Sequence, residues 1–346
     1  MRRILSAFVL TLPLMTLPLM TQPVRANDSV AGFGVGGLAF LRSDAIALRS
    51  EVLTVSPVQI RVEYVFVNQT EAPVTVQVAF PLPEAGRPDD LAYFNLPFRD
   101  SDNYVGFETL VDGQPVTLTP HHRVMLDGVD RSGFLESLGL SPVAAMDYWT
   151  FAEYRRSWTP EQRRALLEQR FLDAEGLPRW TLQTTFLREQ TFAPQAEVRV
   201  SHSYTPVAAA SLDSLLPGQA EPPWEGYSEH LATLRSHYCP EPEIEAQMQA
   251  QLRGETGLRG FSTFFSQEVD YILTTGANWR GPIGHFRLVV ESPGSWDFVF
   301  LCLPGALREA QNRIIFEATD FVPAQDISVY VASAQGEAIE AAGPRP

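Results

Sequence analysis

From Val58 the chain alternates, with Val58, Ile60, Val62, Tyr64 and Phe66 on one parity and Gln59, Arg61 and Glu63 between them. A period of two is that of a half-buried β-strand. After the turn-rich residues 68–73, Val74, Val76, Val78 and Phe80 resume the alternation, and the two runs read as an antiparallel pair. Pro81-Leu-Pro83 ends the second run, because proline brings no N–H to the ladder. Residues 104–111 and 115–119 flank Asp112-Gly113, a dipeptide that supplies the positive φ of a tight hairpin turn. Further strands are expected at 180–188, 197–204, 268–274, 285–291, 296–303, 313–319 and 327–331. In the second of these, Val198, Val200, His202 and Tyr204 share a face; in the fifth, Trp296, Phe298, Phe300 and Cys302 do.

The period changes between about 131 and 176. Thr159-Pro160-Glu161-Gln162 is a helix start: threonine can cap, proline suits the first turn and Gln162 completes a capping box. Leu166, Leu167, Phe171 and Ala174 follow at helical spacing, with Gly176 and Pro178 as the stop. Ser141-Pro142 starts an earlier helix through Met146 and Tyr148, and residues 241–252 form a short acidic-started helix. Residues 208–224 read as a loop. The fold expected is mainly β: two β-sandwich-like domains, residues 27–130 and 179–346, with a helical insertion at 131–178 and a short helix in the second domain.

Composition narrows the function. The 346 residues carry 41 acids and 26 basic residues, a net charge of −15, and every basic residue is arginine. Such a balance argues against a nucleic-acid partner, which needs a basic face. The absence of lysine excludes Schiff-base and P-loop lysine chemistry. Met1-Arg2-Arg3, an apolar run over residues 4–20 and Val24-Arg25-Ala26 have the form of a cleavable secretory signal, residues 1–26. Its removal takes three arginines and no acid, moving the charge from −15 to −18. No later run approaches a membrane span, so the expected product is periplasmic or secreted, without a stable span after signal cleavage. Cys239 and Cys302 are the only cysteines, and in an oxidising compartment they are expected to form one disulfide.

Three stretches carry a family resemblance: residues 27–40, residues 62–83, and Tyr271-Ile-Leu-Thr-Thr-Gly-Ala-Asn-Trp-Arg-Gly-Pro-Ile-Gly284 followed by Phe286-Arg-Leu-Val-Val290, with Tyr238-Cys239 upstream. Together they resemble the bacterial family known as domain of unknown function 4424. The resemblance covers the whole expected mature chain. It implies an exported, periplasmic protein and carries over no catalytic residue. Residues 68–83 also resemble the β domain at the N-terminus of vault and inter-α-trypsin-inhibitor proteins.

Within the third stretch, Asn278, Trp279 and Arg280 offer an amide, a flat apolar surface and a planar cation, a group able to bind a peptide, a glycan or an acidic partner; the partner expected for the protein is an unknown envelope protein or glycan. The alternative is a structural turn whose Trp279 packs on the sandwich edge and whose Arg280 pairs with an acid. His202 reads as a hydrogen-bonded core histidine, and adjacent His121 and His122 point to opposite faces. His230 and His237, seven apart, would share a face of a helix. Asp100-Ser-Asp102-Asn103 lacks the glycine and glutamate of a calcium loop, Asp89-Asp90 reads as a solvated turn, and the glycines of residues 32–37 precede no helix. No metal or cofactor is called for. The expected function is a non-enzymatic binding or envelope-associated module of unknown partner. The alternative is an exported hydrolase or carbohydrate-active enzyme with the helical insertion as a lid.

Overall fold

The computed structural model describes residues 28–34, 37–86, 93–94, 96–212, 226–252 and 264–334. The expected signal, Asp89-Asp90 and most of the 208–224 stretch lie outside the described residues. The chain is mainly β, and its described strands lie in three sheets. An eight-stranded sheet and a six-stranded sheet face each other across a common core: Phe107 stacks on Phe186 with ring centroids 4.4 Å apart, and Phe66 meets Phe192 at 6.0 Å. The third sheet has five strands and two working faces. Val269, Tyr271, Val299, Val329 and Val331 point into the common core. Phe264, Phe298, Phe300, Tyr330 and Ala332, on the opposite parity, pack beneath the helices Tyr227–Tyr238 and Pro242–Leu252 through Tyr238, Ile244 and Met248.

The two alternating runs behind the expected hairpin are both strands, Ile60–Asn68 and Val74–Pro81, but they do not pair. Ile60–Asn68 lies in the eight-stranded sheet between Ile46–Val55 and Glu197–Tyr204, whereas Val74–Pro81 lies in the six-stranded sheet beside Ser29–Gly34 and Thr181–Phe192. The connection is an arch from one sheet to the other. Asn68, fully buried, holds it: its amide nitrogen donates to the carbonyls of Ala72 (2.9 Å) and Phe192 (3.1 Å), and its side-chain oxygen accepts from the Thr70 N–H and hydroxyl. The chain between Thr181–Phe192 and Glu197–Tyr204 makes the same crossing, and the Gln195 N–H donates to the Thr70 carbonyl. Alternation reports that a segment is a strand and which side is apolar; it does not report the sheet.

The longest strand that the pattern did not predict is Ile46–Val55. Ile46–Val55 carries a register irregularity between Leu48 and Ser50. Ile46 and Leu48 face inward before it, Glu51, Leu53 and Val55 after it, so the parity flips at the bulge. This strand pairs in parallel with Ile283–Glu291, and a Cβ on Gly284 would lie 2.6 Å from the Arg49 carbonyl oxygen. Glycine is what lets the second backbone approach the bulged one.

That parallel pair bears on the domain plan. The strand pairing crosses the expected partition: the eight-stranded sheet joins strands from 46–68 and 108–115 to strands from 197–204 and 283–321. Pairs far apart in sequence, such as Ile46–Val55 with Ile283–Glu291, close the sheet.

Helices do fall inside residues 131–178: Ser132–Ser137, Tyr148–Tyr154 and Pro160–Glu168. The capping box is formed, with Thr159 and Gln162 each accepting from the other's backbone N–H (3.2 and 2.7 Å, respectively). The helix is shorter than expected. It stops at Glu168, and Arg170 takes a positive φ of 58°, so Phe171 drops into the core from a turn rather than from the helix. The earlier helix starts later than expected, at an Asp147 cap that also accepts from the Leu96 N–H (3.0 Å) and ties the insertion to the β body. The helix Tyr227–Tyr238 and the strands Thr119–Leu126, Ala209–Leu212 and Leu307–Ala310 add to the expected elements. Asp127-Gly128, with φ of 51° and 78°, turns Thr119–Leu126 back on itself as Asp112-Gly113 does in the expected hairpin.

Cys239 and Cys302 are joined, with Cα atoms 5.0 Å apart. Cys239 ends the helix Tyr227–Tyr238, and Cys302 follows Phe298 and Phe300 on the helix-facing parity. The bridge therefore staples the helical layer to the five-stranded sheet. Replacing both cysteines by alanine is expected to cost about 2–4 kcal/mol in reversible urea unfolding, because the bridge closes a long loop in the unfolded chain. An unchanged midpoint would show that the helical layer holds without it.

Candidate functional site

The sandwich interior contains a polar centre. In-register pairing sets Thr109 beside His202, and the Thr109 Oγ1 lies 2.7 Å from the imidazole Nδ1. His202 Nε2 lies 3.2 Å from the Asp28 carboxylate, which also accepts from Arg188 Nη2 at 3.0 Å. Phe80, Phe107 and Tyr64 pack around the imidazole. Nearby, the bulge places Glu51 inside, and the hydroxyls of Tyr64 and Tyr271 meet at 3.1 Å. Burial favours the protonated phenols: it raises Tyr64 and Tyr271 far above the ordinary tyrosine range and Tyr104 to about 12. For Asp28 burial also pushes upward, but the opposing pull of His202 and Arg188 wins and holds the carboxyl below its ordinary value.

Hydroxyl, imidazole and carboxylate in sequence are the parts of a nucleophilic site. Here Thr109, His202 and Asp28 are 3%, 1% and 1% exposed. The hydroxyl reaches no surface from which a substrate atom could approach. The centre acts as a lock between the N-terminal strand and both sheets. His202 is the hydrogen-bonded core histidine that its strand face predicts.

Asn278, Trp279 and Arg280 form a second part of that lock. Trp279 is 3% exposed; its ring packs 4.6 Å from that of Phe66, and its indole N–H donates to the Asp28 carbonyl at 2.6 Å. The Asn278 side-chain amide donates to Ser29 Oγ (3.0 Å), while the Asn278 backbone carbonyl accepts from the Ser43 N–H (2.8 Å). The Arg280 backbone N–H donates to the Ile46 carbonyl, and its guanidinium reaches the Asp44 carbonyl rather than a carboxylate. Of the three, Arg280 remains at the surface. The remaining histidines disperse. His122 donates or accepts at Thr184 Oγ1 (2.9 Å), and burial holds its pKa below the ordinary value. His285 faces Glu317 at 3.3 Å, and His230 and His237 ride the helix Tyr227–Tyr238. Among the described residues no group of three or more His, Cys, Asp or Glu side chains is arranged to hold a metal ion. Asn103, in the stretch 100–103, closes a turn on the backbone of Phe107.

Concave surface occurs on the helical insertion. One hollow, about 390 Å³, lies between the end of Tyr148–Tyr154, the helix Pro160–Glu168 and the turn at 172–176; Arg155, Arg156 and Arg163 border it. A second, about 480 Å³, adjoins it and is lined by Trp158, Pro160, Arg163, Arg164, Leu167 and Glu168. Trp158, Arg163 and Leu167 belong to both. Trp158 is buried, wedged against Phe151 and Tyr154, whereas Leu167 is half exposed on the rim. The repeated doublets Arg155-Arg156 and Arg163-Arg164, flanking Trp158 in a chain of net charge −15, were the available signal for this surface. The turn at 172–176 lies across the first hollow from Arg155, Arg156 and Arg163.

Among the described residues no helix is long and apolar enough to cross a membrane. No curated protein matches the chain. A crystal structure from Legionella pneumophila subsp. pneumophila str. Philadelphia 1, described provisionally as a nutrient binding protein, is similar over 88% of this chain and 72% of its own, at 16% identity and a TM-score of 0.40. The profile of the domain of unknown function DUF4424 matches residues 26–330, from the start of the expected mature chain to the last strand, and the chain belongs to that family.

Proposed function

We propose that the protein is an exported, periplasmic, non-catalytic binding module, with the β body as scaffold and the helical insertion as its recognition element. The observation that carries this reading is the division of labour in the fold. The imidazole–carboxylate centre is sealed in the core, while the concave, arginine-bordered surface sits on the insertion. The bridge between Cys239 and Cys302 supports export, because disulfides persist in oxidising compartments. Cleavage after Ala26 leaves Asp28, a buried residue, as the second residue of the mature chain.

Native mass spectrometry of the protein released from the periplasm tests the reading. The expected result is a chain starting at Asn27, lighter than the reduced chain by two hydrogens, that carries a non-covalent adduct. Arg156→Glu with Arg163→Glu is expected to remove the adduct and keep the fold. Turnover of ester, peptide or glycoside substrates that disappears in His202→Ala while the variant stays folded would overturn it in favour of the hydrolase.

A further inference from the structure

Among the described residues, arginines outside the insertion are mostly engaged. Arg61, Arg99, Arg123, Arg179, Arg188, Arg287 and Arg308 each lie within 3.3 Å of a carboxylate oxygen, and Arg49, Arg235 and Arg313 are also paired. The insertion departs from this. Among the described residues no ion pair holds Arg155, Arg156, Arg163, Arg164 or Arg170, although Glu161, Glu168 and Glu175 are close in sequence. Two acids line the first hollow. Asp173 is turned to its own loop, its Oδ1 accepting from the Glu175 N–H (3.0 Å) and the Leu177 N–H (2.7 Å), and Glu175 is exposed at the edge. Glu168 lines the second.

Position adds to charge. Arg155 is half buried; its guanidinium lies 5.9 Å from the Phe151 ring centroid and reaches the turn, where its Nη1 would sit 3.6 Å from a Cβ on Gly176. Arg163 is held over the Arg155 carbonyl by a hydrogen bond of 3.0 Å. Both guanidiniums are thus positioned by the fold rather than left on free stems. Guanidinium forks match carboxylate and phosphate oxygens, and arginine is less strongly hydrated than lysine, so a concave arginine group recognises anions well. Across the ridge of Arg163 and Leu167 the second hollow offers Trp158, Pro160 and the Leu167 side chain, an apolar wall. Each hollow falls within the ordinary volume range of small-molecule sites, about 300–1,000 Å³.

We infer that the two hollows form one site for a small amphiphilic anion: a carboxylate or phosphate group held by Arg155, Arg156 and Arg163, and an apolar portion laid over Leu167 and Pro160. The inference rests on the binding-module reading and names its ligand class.

Calorimetric titration of the full mature chain at low salt tests it with four probes: phenylbutyrate, phenyl phosphate, inorganic phosphate and phenylbutylamine. Saturable binding is expected for one or both aryl anions, weaker binding for inorganic phosphate and none for the amine. The first two arms separate a carboxylate from a phosphate head group. Arg156→Gln with Arg163→Gln is expected to weaken the aryl anion roughly tenfold or more, since hydrogen bonds to charged groups are the strong ones. Leu167→Ser should weaken the aryl anions and leave inorganic phosphate unchanged. Arg42→Gln, exposed and remote, should leave every probe unchanged. Equal binding of all anions, insensitivity to the arginine pair or no binding at all would overturn the inference. If the arginine-dependent adduct of the native protein persisted in those cases, the ligand class would fall and the binding module would stand.

Discussion

Asp28→Ala is expected to destabilise the protein by about 3–5 kcal/mol, because it strands a buried guanidinium. Arg188 is 5% exposed, and Asp28 is its carboxylate partner at 3.0 Å; Gln190 supplies a neutral contact at 2.8 Å. The same substitution removes the acceptor beside His202 Nε2. Against a total stability of about 5–15 kcal/mol, that loss takes the chain near its unfolding threshold. Urea unfolding followed by tryptophan fluorescence measures it. Adding Arg188→Met should recover part of the loss, because the stranded charge goes with the side chain. A midpoint unchanged in Asp28→Ala would remove Asp28 from the account of the fold.

The same carboxyl sets a pH dependence. Its folded-state pKa is lowered from the ordinary 3.8, with burial opposing and His202 and Arg188 outweighing it. A group depressed on folding contributes stability that is complete above its unfolded value and is lost as pH falls through the folded one. Acid therefore weakens the lock below about pH 4, and Asp28→Asn should flatten that part of the stability profile. The effect of pH on the wild type and on Asp28→Asn would coincide if other carboxyls governed acid unfolding.

How much of this was legible depends on the range of each signal. Glu197–Tyr204 is visible because nothing interrupts its alternation, and its one inward polar residue, His202, is visible with it. Ile46–Val55 is hidden because a single extra residue flips the parity and brings Glu51 inside, which a strict period of two reads as noise. The helix Tyr227–Tyr238 has only a narrow stripe, Leu231, Leu234 and Tyr238, and its clear marker is the αL cysteine at its end. Sheet membership lies beyond local pattern, since Asn68 exchanges a hairpin for an arch through a contact with Phe192, 124 positions away. The Asp28–Arg188 pair spans 160 positions. The arginine doublets were legible as residues and silent as a site, because the hollow needs the turn at 172–176 to close one side of it.

Trp279→Ala is expected to be the second large loss, again about 3–5 kcal/mol, from removal of a buried indole whose site cannot collapse. Two sheets converge on that ring: Phe66 comes from the eight-stranded sheet at 4.6 Å and Phe192 from the six-stranded sheet at 6.5 Å. The indole N–H also satisfies the carbonyl of Asp28, so truncation leaves a buried acceptor unpaired beside the ion pair it helps to position. Trp279→Phe separates these contributions. It keeps most of the ring contact and gives up the hydrogen bond, so its loss should be nearer about 1 kcal/mol. A tryptophan used for recognition behaves in the opposite way: truncation to alanine spares stability and abolishes capture of a partner. Urea midpoints and binding titrations on the same two variants therefore decide the role of the loop. Asp28 and Trp279 touch through one carbonyl, so their effects should not add. A double variant that loses less than the sum of the two singles is the signature of a shared clasp; strict additivity would mean that the indole and the carboxylate stabilise the sandwich independently.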